Sequence, residues 1–195
     1  IRPDSKIEKL AKLRPCFERS DKGTLTAANS TPLTDGAAAV LLGTDEFAES
    51  LGLKPQAYLT HMQSAAVDYE KEEGLLMAPA YAVSSMLEKA GLTLQDFDFY
   101  EIHEAFAAQV LCTLSAWESE KFCKEKLGRN TALGSIERSK LNVAGGSVAM
   151  GHPFAATGAR ILAGAAKLLE QKGSGRALIS ICTAGGMGVT AIIER

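Results

Sequence analysis

Apolar positions in this chain fall in short runs and helical stripes that glycine and proline punctuate, and their order predicts the elements. The opening stretch, to roughly residue 30, is polar and broken by Pro3, Pro15 and Gly23; it reads as loop with one short helix over residues 6–13. Residues 24–29 are small. Residues 35–42 form an apolar run, a buried helix or a buried strand, because so short a run has no period that separates the two. A helix over 44–51 stops at Gly52. Past a boundary at Lys54-Pro55, a strand starts at 57–59. Pro79 marks a helix N-terminus, Val83, Met86, Leu87 and Ala90 share one helical face, and Gly91 ends that helix. Residues 97–102 read as a strand, and Phe106, Val110, Leu114 and Trp117 then recur at helical spacing. A glycine-rich bend covers 144–158. The next helix carries Ile161, Leu162, Ala165, Leu168 and Leu169 on its apolar face and ends at Gly173; two strands, 177–181 and 189–193, flank a glycine turn. Strands alternating with helices predict an α/β layer fold. The last two strands are close enough for an antiparallel hairpin, so the sheet is predicted to be mixed.

Composition narrows this picture. A chain of 195 residues suffices for one domain, or one domain and part of another, with a core that needs no disulfide or metal staple. Apolar residues at 46% and charged residues at 23% describe a globular chain rather than a disordered one. The 21 Lys and Arg nearly balance the 23 Asp and Glu, a net charge of −2, and no basic stripe is interleaved with aromatics, which argues against a nucleic-acid partner. No apolar run approaches the ~20 residues that span a bilayer. The start, Ile1-Arg2-Pro3-Asp4, has neither an apolar signal region nor a Met, so the chain is expected to be processed or to be a piece of something longer. Cys16, Cys112, Cys123 and Cys182 form no CxxC pair and, with three histidines, match no standard zinc spacing. A reduced, intracellular protein without a metal is the expectation, in the cytoplasm, with a mitochondrial or other organelle matrix as the alternative.

Ten of the 18 glycines lie between Gly145 and Gly188, which concentrates tight turns there and directs the search for a site. Gly146 and Gly151 have the GxxxxG spacing of a phosphate loop, but His152-Pro153 stands where Lys-Ser/Thr is required, so a nucleoside-triphosphate site is rejected. On that turn His152 is either a solvent-exposed loop histidine or a general base held by rigid backbone, since imidazole titrates near neutral pH. Cys182 ends a buried strand and enters a glycine turn. It is either a small buried hydrophobe or a reactive thiol, and thiolate chemistry needs a cationic or proton-accepting neighbour, for which His152 is the candidate. His103-Glu104-Ala105-Phe106 sits at a strand-to-helix junction. Ala107 stands where HExxH needs its second histidine, so a metal reading is dropped, and the motif taken alone reads as a structural histidine.

Taken together, HEAF at 103–106, GGSVAMGHPFAATGAR at 145–160 and CTAGGMG at 182–188 resemble the C-terminal half of the thiolases, the 3-ketoacyl-CoA thiolases and acetyl-CoA acetyltransferases. Residues 26–39, TAANSTPLTDGAAA, look like the stretch that links the family's loop region to the end of its N-terminal half. The resemblance covers almost the whole chain. It implies a thiolase-like αβα half of a five-layer αβαβα fold, with residues 1–52 ending the loop region and N-terminal half and residues 53–195 forming the C-terminal domain. It implies an acyltransferase that cleaves 3-ketoacyl-CoA to acetyl-CoA and a shortened acyl-CoA in fatty-acid β-oxidation, with coenzyme A as substrate and no permanently bound cofactor. Two alternatives stand beside it: a biosynthetic acetyltransferase condensing two acetyl-CoA, and a non-catalytic assembly module.

Matched motif by motif, His152 resembles the histidine that activates the family's nucleophilic cysteine. Cys182 resembles the second catalytic cysteine, which moves a proton at the acetyl α-carbon, and the backbone N–H of Ala184 takes the place of an oxyanion-hole amide. His103 stands where many thiolases have the Asn of NEAF, which holds an oxyanion-hole water. HEAF is similar to the long-chain type, including the β-subunit of the fatty-acid oxidation trifunctional complex, and the weak match of residues 72–79 to short-chain relatives points the same way. Glu104 reads as structural. Ala27, Thr31 and Phe106 match positions that touch the pantetheine arm of CoA. The family's acyl-accepting cysteine lies nearer the N-terminus, and Cys16, in LRPCFERS, lacks its motif, so the isolated chain is expected to be inactive. The implied partners are acyl-CoA and CoA, the missing N-terminal thiolase half, further copies in a homodimer or tetramer, and a hydratase/dehydrogenase α-subunit.

Overall fold

Four strands build one sheet with helices packed on both faces: β1 alternates between half-buried and exposed positions, while β2 and β3 are buried in continuous runs. The structure, a computed structural model, describes residues 2–71 and 73–195; Ile1 and Glu72, which opens the 72–79 stretch, lie outside the described residues. In chain order the elements are α1 (Ile7–Leu10), α2 (Asp45–Ser50), β1 (Tyr58–Ala66), α3 (Ala78–Ala90), β2 (Phe99–Ile102), α4 (Ala107–Glu118), α5 (Glu120–Glu125), α6 (Ser147–Met150), α7 (Thr157–Lys172), β3 (Arg176–Thr183) and β4 (Met187–Glu194). Short 3₁₀ turns lie at Tyr69–Lys71 and Arg138–Lys140.

The strand order is β1-β4-β3-β2. Strand β2 runs parallel to β3, while β3–β4 and β4–β1 are antiparallel, so the sheet is mixed and its last two strands form the predicted hairpin. Successive strand residues point to opposite faces. Tyr100, Ile102, Leu178 and Ile192 therefore pack with Met86 and Leu87 of α3 and Trp117 of α4. Their neighbours Ala177, Ile179, Ala191 and Ile193 meet Ile161, Ala165 and Leu169 of α7. The result is the αβα layering. Pro79 sits in the first turn of α3, where its missing N–H costs nothing, and Gly91 and Gly173 close α3 and α7 at φ 65° and 89°. Trp117, fully buried, donates its indole N–H to the Ala80 carbonyl at 3.4 Å and ties α4 to α3.

Several elements differ from the sequence expectation. Residues 35–42 are neither helix nor strand; they run irregularly, and all but Val40 are exposed. An apolar run creates a demand for burial without naming a partner, and the rest of this chain leaves the run uncovered. The helix expected over 6–13 is a single exposed turn, α1, because its apolar residues Ile7, Leu10 and Leu13 stay exposed, and short helices without packing are marginal. Strand β1 runs on to Ala66 because His61, Gln63 and Ala65 alternate as its half-buried face, a pattern that polar residues concealed. Helix α5 is polar in sequence. It forms because Ser119 caps it, accepting from the Phe122 N–H at 3.1 Å, and because buried Cys123 anchors it to the Ala116 and Trp117 carbonyls. No helix among the described residues is long and apolar enough to cross a membrane.

Candidate active site

The parallel pair β2–β3 brings two C-terminal strand ends side by side, the place where open α/β sheets put their sites. His103 follows β2 and continues its ladder by donating its N–H to the Ser180 carbonyl at 2.9 Å. Cys182 is the penultimate residue of β3, opposite Gly188 of β4. The glycine-rich bend then folds His152 over His103: their ring centroids are 4.3 Å apart, tilted by 41°.

Backbone fixes His152. Gly151 adopts φ 100°, and a Cβ there would strike Thr34. The His152 N–H donates to the Pro32 carbonyl at 3.0 Å, and the Phe154 ring packs edge-on at 4.8 Å. Its Nδ1 lies 2.6 Å from Thr157 Oγ1, while that hydroxyl donates to the Pro153 carbonyl at 3.2 Å. A hydroxyl has one proton, so both contacts are met only if Nδ1–H donates to Thr157, which leaves the Nε2 lone pair as a base. Burial, and then the Arg160 guanidinium, lower the pKa of His152, so the ring is neutral at pH 7. His103 is 2% exposed, and burial first, with His152 and Arg160 adding to it, pushes its pKa down to about 4. Its Nδ1 lies 2.9 Å from Ser147 Oγ.

Burial pushes the Cys182 thiol up to about 11, against the opposing pull of its own backbone and of the Ala105 backbone N–H beside the sulfur. The resting group is therefore a thiol. Ala105 belongs to the HEAF motif, so the thiol stands beside the same stretch of backbone that carries His103. Ala184 lies exposed in the turn immediately beyond Cys182.

Glu104 has the structural role read from sequence. Its carboxylate accepts from Asn142 Nδ2 at 2.7 Å and from the Val148 N–H at 3.0 Å, clamping the bend, and Gly146 leaves the room it occupies. Residues 29–31 strap across the same motif. Thr31 donates its N–H to the Ala105 carbonyl at 3.1 Å and its hydroxyl to the Glu104 carbonyl, and Ala107 N–H donates to the Asn29 carbonyl at 2.9 Å. Phe106, the residue before α4, meets the Phe17 ring edge-on at 5.8 Å. Ala27 lies exposed on the turn leading into the strap. The fold thus brings His103 and His152 into contact, sets Cys182 on the strand paired with β2, two residues beyond the Ser180 that His103 bonds, and stitches Thr31 and Phe106 alongside; Ala27 and Ala184 stand on adjoining turns.

Sequence reasoning missed Ser147, Thr157, Arg160 and Glu101. The two hydroxyls sit inside the 145–160 motif, but nothing in sequence separates them from any other small polar residue. Glu101 had a signal: a carboxylate inside the apolar strand FYEI. It is 7% exposed, and burial pushes its pKa up to about 7 against the pull of Arg160. Among the described residues no His, Cys, Asp and Glu cluster suits a metal ion. A cavity of about 330 Å³ lies beside the site, between residues 33–36 and 152–154. A larger one, about 550 Å³, lies away from both histidines, between residues 39–59 and α7. Its lining is mostly apolar, and the chemistry belongs to the smaller one.

Residues 53–195 match the family described as thiolase, C-terminal domain, and residues 1–46 match thiolase, N-terminal domain. Curated relatives include the 3-ketoacyl-CoA thiolases of Vibrio cholerae, 50% identical, and Yersinia enterocolitica, 48% identical, each over 194 residues covering 100% of this chain and 44% of the relative. Similar solved structures are human mitochondrial 3-ketoacyl-CoA thiolase (TM-score 0.83, 33% identity), the same thiolase in complex with CoA (0.80, 31%) and Bacillus anthracis acetyl-CoA acetyltransferase (0.80, 37%). Each covers 99% of this chain and 43% of the solved one, so the chain spans less than half the length of the relatives it matches.

Proposed function

The chain belongs to the thiolase family, and we propose that it carries the proton-transfer half of a 3-ketoacyl-CoA thiolase, with residues 53–195 as the C-terminal domain and residues 1–52 as the end of the loop region and N-terminal half. The observation that carries this reading is the trio gathered where two strand ends meet the glycine-rich bend: a neutral imidazole with a free lone pair, a second neutral imidazole, and a protonated thiol.

Each group suits one step. The N-terminal half supplies a cysteine whose thiol proton passes to His152 Nε2 as its sulfur attacks C3 of the 3-ketoacyl-CoA. The C2–C3 bond then breaks and leaves its electron pair on C2, as the acetyl-CoA enolate. Cys182, a thiol at rest, gives its proton to that carbon and releases acetyl-CoA. In the second half-reaction CoA gives its thiol proton to the Cys182 thiolate and attacks the acyl-enzyme, and the departing cysteine is reprotonated by His152. His103 and the Ala184 N–H donate to the developing oxyanions. Ala27, Thr31 and Phe106 flank the pantetheine arm of CoA, a substrate rather than a resident cofactor. The exposed apolar run at 35–42 suits contact with an N-terminal thiolase half, and HEAF suits a long-chain substrate and a hydratase/dehydrogenase partner in a homo-oligomeric assembly.

The test is thiolysis by the Vibrio cholerae relative with this chain in place of its matching segment. Turnover of a palmitoyl-length 3-ketoacyl-CoA is expected from the chimera and none from the isolated chain. A folded chimera without turnover, or an isolated chain with it, contradicts the reading. The 37% identity to the Bacillus anthracis acetyltransferase favours a second reading, a biosynthetic enzyme; preference of the chimera for acetoacetyl-CoA would select it.

A further inference from the structure

A buried hydroxyl stands behind His103. Ser147 is fully buried at the start of α6, and its Oγ has two polar contacts among the described residues. One is Arg160 Nη2 from α7 at 2.9 Å; the other is His103 Nδ1 at 2.9 Å. A guanidinium has donors and no acceptor, so Arg160 gives a proton to Oγ and occupies one of its lone pairs. The serine's single proton then needs an acceptor, because a buried donor left unpaired costs about 1–3 kcal/mol. His103 Nδ1 is the one contact that can accept. If Nδ1 carried the ring proton instead, Oγ would receive two hydrogen bonds and its own proton would have no partner.

We propose that Ser147, oriented by Arg160, is a positioning residue that fixes His103 as the Nε2–H tautomer. The ring nitrogen left to face a ligand is then a hydrogen-bond donor. Arg160 selects by occupying the hydroxyl rather than by touching the imidazole. The low pKa of His103 agrees with this: a ring that is neutral at pH 7 carries one proton, and the hydroxyl decides which nitrogen holds it. His152 is fixed the opposite way by Thr157, whose proton is engaged by the Pro153 carbonyl. Two touching imidazoles thus present unlike faces, a donor from His103 and a lone pair from His152. The inference deepens the thiolase reading, in which an oxyanion needs a donor at His103 and the nucleophile needs a base at His152.

The test is long-range ¹H–¹⁵N correlation of the histidine rings in the ¹⁵N-labelled chain at pH 7. Its only histidines are His61, His103 and His152, so a His103→Gln sample completes the assignment. The unsubstituted chain should show His103 as a single Nε2–H species. Ser147→Ala should convert it to a mixture with a measurable Nδ1–H fraction, and Ser147→Thr should restore the single species. An Nδ1–H form in the unsubstituted chain overturns the proposal, as does a Ser147→Ala spectrum with the tautomer unchanged. If Ser147→Ala does not fold, the unsubstituted spectrum still decides. The readout is independent of thiolysis, so its failure leaves the reaction standing, and failure of the reaction leaves the tautomer standing.

Discussion

At the scale of single residues, two buried groups oppose each other in pH. Glu101 has its folded pKa raised from 4.5 to about 7. It favours the protonated form, so its contribution to stability is present below pH 4.5 and is lost as pH rises through 7. His103 has its folded pKa lowered from 6.5 to about 4. Its contribution is present above pH 6.5 and is lost as pH falls through 4. Between these limits the two slopes cancel. Replacing Glu101→Gln removes one of them, so the variant should gain on the parent chain as pH rises from 4.5 to 7, by roughly 3 kcal/mol at about 1.36 kcal/mol per pKa unit. Urea unfolding at several pH values measures the difference; a difference flat in pH contradicts the account. The residues that the fold gathers at the β2–β3 strand ends were the most legible part of this chain. His152, Cys182 and His103 each had an innocent reading alone, and only their ordered motifs distinguished them. Ser147, Thr157 and Arg160, which set the protons of the two rings, stayed hidden because a partner across 44, 5 or 13 residues is a fact of the fold rather than of local sequence.

At the scale of elements, the helices with a clear apolar stripe and a glycine stop, α3 and α7, lie where periodicity put them, and so does the β3–β4 hairpin. Elements made by their surroundings were not legible: α5 depends on one buried cysteine, and β1 on an edge pairing with β4. The run at 35–42 carries the opposite lesson, since apolarity without a partner builds no element. The packing of α3 on the hairpin gives a prediction. A Cβ on Gly188, opposite Cys182, would stand 2.7 Å from the Pro79 backbone nitrogen and 3.0 Å from the Ala78 carbonyl carbon. Backbone atoms at the start of a helix cannot step aside as a flexible side chain would. Gly188→Ala should therefore cost about 1–3 kcal/mol of stability, the range for overpacking a close-packed site. Denaturant unfolding reads this directly; a change within about 0.5 kcal/mol, typical of an unconstrained surface site, contradicts the close approach.

At the scale of the whole molecule, the fold is an αβα half whose site is assembled from two strand ends, one glycine-rich bend and one strap. The larger cavity lies away from the histidines, on the side that α7 and residues 39–59 form, and the exposed apolar run at 35–42 leads to it from the smaller cavity beside His152. In the proposed reading the site contributes a donor, a base and a thiol. That division of labour is the central claim, and it bears most heavily on Cys182 as the carbon acid–base. The direct measurement is the thiolysis rate of the Vibrio cholerae chimera with and without Cys182→Ala, both shown to be folded. The account predicts a loss of about 10²–10⁴-fold, the usual contribution of a positioned general acid–base. Undiminished turnover in the Cys182→Ala chimera would contradict it.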